Sequence, residues 1–61
     1  MTNKELEAAL AQEAQCSERI ARRALEHGYM TVRVHAVRDR IADALCRRPE
    51  LATQYSKEHY P

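Results

Sequence analysis

Apolar residues recur along this chain at helical spacing, broken in three places by turn chemistry. Leu6, Ala9, Leu10 and Ala14 lie three and four apart, which predicts a helix over about 3–14. Thr2-Asn3-Lys4-Glu5 precedes it with capping-box spacing: the Thr2 hydroxyl is placed for a backbone N–H and Glu5 can reach back. Acids at Glu5 and Glu7 also suit the positive end of a helix dipole. A second stripe, Ile20, Ala21, Ala24 and Leu25, leaves Arg19, Arg22, Arg23 and Glu26 largely off it and predicts a helix over about 18–27. Ser17 is a good N-cap for it, and Gly28 ends it at a position suited to a left-handed residue. Gln15 and Cys16 do not themselves break a helix, so one continuous helix over 3–27 is the alternative.

Beyond Gly28, Tyr29 to Thr31 form a link, and Thr31 is placed to cap a third helix over about 32–47. Val34, Val37, Ile41, Ala44 and Leu45 share one side of it. Val32-Arg33-Val34 alternates like a strand but is too short to outweigh the helical run behind it. Pro49 stops the helix and can open a short turn in which Leu51 and Tyr55, four apart, face together. The expectation is an all-α domain over 1–48, a small three-helix unit, followed by a short helical turn and a frayed tail over 49–61.

Composition bounds this picture. The 61 residues include ten Ala but only five Leu, two Ile and three Val, with no Phe or Trp. A small Ala-lined core suits closely packed short helices and is marginal for a monomer, so dimerisation or a bound partner is the expected supplement. No stretch pairs a basic start with an apolar run, and none is apolar enough to span a membrane. A cytoplasmic protein with Cys16 and Cys46 as reduced thiols follows as the default.

The net charge of +1 conceals a polarity: −3 over residues 1–18, +5 over 19–48 and −1 over 49–61. Arginine supplies eight of the ten basic residues. Its planar fork grips two acceptors at once on phosphate, carboxylate or guanine, so a basic middle points to an anionic partner. Catalysis is not expected. His27, His35 and His59 are scattered, and Gly28 stands alone without a phosphate loop. No spacing matches a common zinc site. No cofactor, metal or small-molecule substrate is therefore expected.

The stretch LAQEAQCSERIARRALEHG resembles the helix-turn-helix of bacterial and phage transcription regulators. Leu10-Ala11 match the apolar residue and the small residue that lets the second helix cross closely. Gln15-Cys16-Ser17 match the turn, and Ile20, Ala21 and Leu25 the apolar positions of the second helix. Gln15 stands where glycine is usual, so either it adopts an unfavourable backbone angle or the turn differs. Ala21 stands where Val or Ile is usual. His35 to Leu45 is similar to the third helix of lactose-repressor-type headpieces, and the likeness covers about residues 6–48.

The resemblance implies a sequence-specific DNA-binding transcription regulator acting as a dimer, with the second helix in the major groove. Arg19 and Arg23 would then contact guanine, and Glu18 would accept from cytosine. Ser17, Arg22, Arg33 and Arg38 would meet phosphates. Leu10, Ile20, Leu25, Val37, Ile41 and Leu45 supply core or dimer contacts, with the third helix or the 49–60 tail joining two copies. The alternative is a small helical homodimeric adaptor or inhibitor of the kind phages carry, which binds a host protein. In that reading helices one and two are continuous, and Val34 joins the shared core.

Overall fold

The computed structural model describes residues 2–55, and every regular element among them is helical. In chain order these are α1 (Asn3–Ala14), α2 (Glu18–His27), a 3-10 turn (Tyr29–Thr31), α3 (His35–Arg47) and a single helical turn, α4 (Glu50–Thr53). The fold is a small all-α domain. α1 is its centre, packing on both α2 and α3, while the 3-10 turn touches α2 and α3 and α4 touches α1 and α3.

α1 starts on the expected capping box. The Glu5 N–H donates to the Thr2 hydroxyl at 3.2 Å, and the Thr2 N–H donates to the Glu5 carboxylate at 2.8 Å. That carboxylate is held below its usual pKa range by the Thr2 backbone bond first and the Thr2 hydroxyl second. The helix ends at Gln15, whose φ of 56° and ψ of 52° place it in the left-handed region. The Cys16 N–H then reaches back to the Ala11 carbonyl at 2.9 Å, and the Gln15 N–H to Gln12 at 3.3 Å. This is the paired closure that helices use when a left-handed residue terminates them. The continuous helix over 3–27 does not form.

A glutamine in that conformation costs roughly 1–2 kcal/mol relative to ordinary helical backbone. The compensation comes from α3. Arg40 donates from Nε to the Ala14 carbonyl at 2.9 Å and from its terminal nitrogen to the Gln15 carbonyl at 3.3 Å. These are carbonyls that a helix end leaves without partners. Ser17 restarts the chain, its hydroxyl accepting from the Ile20 N–H at 3.3 Å. Gly28 closes α2 with φ of 94° and ψ of 146°, a conformation that L side chains avoid.

The third helix begins three residues later than expected, at His35 rather than 32. Thr31 does not cap it, because its hydroxyl donates to the Gly28 carbonyl at 2.8 Å and closes the 3-10 turn. Val32 and Val34 are extended, as β-branched residues favour, and Val32 turns into the core. Val34 becomes the N-cap residue, lies outside the helical stripe and faces solvent.

Leu6, Leu10, Ile41 and Leu51 are wholly buried, each worth about 1.5–3 kcal/mol on leaving water. Ala11, Ala14, Ala21, Ala24 and Ala44 fill the spaces between them and let the helices approach closely. Leu25 is buried too, and Ile20, Val37 and Leu45 are half-buried against the same cluster. Leu51 and Tyr55 also belong to this core, so the packed unit does not stop at residue 48. Leu51 and Tyr55 point into this core, while Pro49, Glu50, Ala52, Thr53 and Gln54 are exposed. The expected frayed tail, 56–61, lies outside the described residues.

Candidate nucleic-acid interface

α2 buries Ala21, Ala24 and Leu25 and turns Glu18, Arg19, Arg22, Arg23 and His27 outward. Arg19 and Arg23 are one turn apart, so they share an exposed face near the helix start. Ser17, Glu18 and Arg19 stand together at that start. Arg22 sits on the other flank, 3.5 Å from Glu26 in an exposed ion pair.

The two flanks differ in charge. On the Arg22 side a cleft of about 630 Å³ separates the start of α2 from the start of α1. It carries both signs: Lys4, Arg19 and Arg22 against Glu7, Glu18 and Glu26. At its edge the Tyr55 hydroxyl donates to the Glu7 carboxylate at 2.6 Å. Burial first, then that bond and the Glu7 and Glu26 charges, push the Tyr55 phenol far above its usual pKa. On the Arg23 side a hollow of about 280 Å³ lies between α2 and residues 31–34, and its only charged residues are Arg23 and Arg33.

The near-neutral net charge hides an uneven division of partners. Arg40 holds carbonyls, Arg47 binds Glu13 and Asp43, and Arg48 binds Glu13 and Glu50. Glu5 and Glu7 are likewise engaged, by Thr2 and Tyr55. Among the described residues the acids left without a partner are Glu18 and Asp39, and the bases are Lys4, Arg19, Arg23, Arg33 and Arg38. The surface still free to meet a partner is therefore basic. Arg19, Arg23 and Arg33 follow one another along α2 and the segment after it, each sharing a hollow with the next. Arg38 lies in the first turn of α3 and lines neither of those hollows.

Several residues that matter here carry no sequence signal. Arg40 looks like any surface arginine on α3, and Glu13 like any acid on α1. Tyr29 and Met30 read as a mere link, yet both are exposed apolar side chains. Cys16 and Cys46 are both free thiols. Cys16 sits in the turn, half-buried against the core, and burial raises its pKa against the opposing pull of Arg40. It therefore packs as a small apolar residue rather than a nucleophile. No helix among the described residues is long and apolar enough to cross a membrane. Comparisons with protein-family models, curated proteins and solved structures find no match for this chain.

Proposed function

We propose that this chain is a small sequence-specific DNA-binding transcription regulator that lays α2 in the major groove and works as a dimer. One observation carries the reading. Arg19 and Arg23 stand uncommitted on the outer face of a capped helix, held at a bend by Gln15, while Arg40, Arg47 and Arg48 are consumed inside the fold. A guanidinium with no internal partner can offer two parallel donors to guanine O6 and N7 without first breaking a bond. Glu18 beside them accepts from cytosine. Ser17 sets the helix N-terminus toward the duplex, and Arg33 meets the backbone alongside. Arg22 can add a phosphate contact by releasing Glu26, an exposed pair worth under about 1 kcal/mol. Arg38 contributes only if the duplex runs past the start of α3.

A single module of this size makes a small interface, and two copies on a two-fold site raise affinity and fix half-site spacing. Val37 and Leu45, half-buried on α3, are the apolar residues left partly open for that contact. The alternative, a helical homodimeric adaptor for a host protein, relied on a continuous first helix and on Val34 in a shared core. The bend at Gln15 departs from that continuous helix, whereas the exposed Val34 stays open to contact with a second chain.

The test is fluorescence anisotropy with a pool of duplexes. Affinity should fall steeply between about 50 and 200 mM salt. Arg22→Ala should weaken all sequences alike, whereas Arg19→Ala or Arg23→Ala should relax preference at one base pair. No duplex binding by micromolar protein at low salt would overturn the reading.

A further inference from the structure

Val34 breaks a local rule. It occupies the N-cap of α3, where Ser, Thr, Asp or Asn would satisfy a backbone N–H, yet no side chain caps this helix. Its own side chain is 56% exposed. Four residues earlier Met30 is 67% exposed, and Tyr29 beside it 40%. A chain poor in large apolar side chains thus shows three of them to solvent within six residues and forgoes a helix cap in doing so. Rules broken without a gain inside the fold mark surfaces kept for another purpose.

The 280 Å³ hollow adjoins this patch. Ile20, Val32, Val34 and the Thr31 methyl give it an aliphatic wall, and Arg23 and Arg33 flank it with two guanidiniums that no described residue engages. We propose that the hollow docks an acidic segment of a partner protein, one aliphatic side chain filling it while neighbouring carboxylates pair with Arg23 and Arg33.

Charge complementarity selects this occupant. A second copy of the chain has little acid to offer, since Glu18 and Asp39 alone lack partners among the described residues, and a symmetric contact would set arginine against arginine. A phosphodiester would satisfy the guanidiniums but leave the aliphatic wall facing a charged backbone. Carboxylates around one apolar side chain answer both features, with bidentate pairing at each arginine. The inference stands apart from the DNA reading, although Arg23 and Arg33 serve both, so peptide and duplex compete where both hold.

The test uses the intact chain and three labelled probes: an Asp/Glu dodecapeptide with one central leucine, the same peptide with serine there, and a duplex. The leucine peptide should bind about tenfold tighter than the serine peptide, the worth of burying one aliphatic side chain. Val34→Ser supplies the cap that α3 lacks, so it should raise Tm while removing most of that tenfold difference. Equal binding of the two peptides would reduce the attraction to charge and overturn the inference. A Val34→Ser loss of duplex affinity as large as the loss of peptide affinity would assign the hollow to nucleic acid and overturn it too. Duplex binding without peptide binding defeats this inference alone, and peptide binding without duplex binding defeats the DNA reading alone.

Discussion

Where α1 ends against α3, Arg40 donates to two carbonyls, and Arg47 and Arg48 converge on Glu13 at 3.3 and 3.8 Å. Where α2 meets the segment after it, Arg19, Arg23 and Arg33 are exposed and touch no acid. The residue type is the same in both places and so is its pattern in sequence, an arginine off the apolar stripe. What differs is the set of acceptors in reach. The first region presents a helix C-terminus and a half-buried carboxylate, which engage guanidiniums within the fold. In the second, aliphatic side chains lie between Arg23 and Arg33, and Arg19 shares its cleft with acids without pairing with one, so these guanidiniums stay available. A basic count along the chain therefore overstates the interface, and a net charge understates it.

Substitutions can break that contrast or sharpen it. The largest expected effect is Arg40→Ala, which frees the Ala14 and Gln15 carbonyls and should cost about 2 kcal/mol in urea unfolding. Arg23→Ala, by contrast, should leave unfolding within about 0.5 kcal/mol of the parent while lowering duplex affinity. A stability loss at Arg23 equal to that at Arg40 would erase the distinction between the two regions.

Tyr55→Phe comes next. It strips the phenol from the Glu7 carboxylate in a partly buried bond and should cost about 1–1.5 kcal/mol. The same bond has a pH signature. The folded state holds the Tyr55 proton more tightly than the unfolded chain, so its contribution is complete below the ordinary tyrosine pKa of about 10. It is lost as pH rises above that value, when only the unfolded state releases the proton. Parent and Tyr55→Phe stabilities should therefore converge in alkaline solution, and a constant gap from pH 7 upward would deny the bond.

Gln15→Gly has a smaller expected effect than Arg40→Ala or Tyr55→Phe, and the opposite sign. Glycine removes the left-handed strain but adds unfolded-state freedom, leaving a net gain of about 0.5–1 kcal/mol in thermal or urea unfolding. Coupling between Gln15→Gly and Arg40→Ala in a double-mutant cycle would measure how far Arg40 enforces the bend. Strict additivity would mean that the turn holds itself.

The start of α1 and the end of α2 were legible from periodicity, the Thr2 cap and Gly28, while the break between the two helices was one of two readings. Thr2 with Glu5, Ser17 with Ile20, and Gly28 each act within three or four residues of themselves, the range over which side-chain identity dictates backbone geometry. The start of α3 was misread. Thr31 has two acceptable uses, capping a helix or closing the turn on Gly28, and the burial of Val32 favours the second. The candidate site was half legible. Arg19 and Arg23 were visible as arginines off an apolar stripe, but their freedom was not, nor was the exposure of Met30 and Val34 beside them.

The sequence by itself therefore determined the helical class, the caps and the outward position of the α2 arginines, because these depend on neighbours along the chain. Only the tertiary structure decided that the chain bends at Gln15, that Leu51 and Tyr55 join the core, and which arginines remain free. Arg40 lies 26 residues from Ala14, and Tyr55 lies 48 from Glu7. At those separations a bond is specified by packing, which brings the groups together only after the helices have formed.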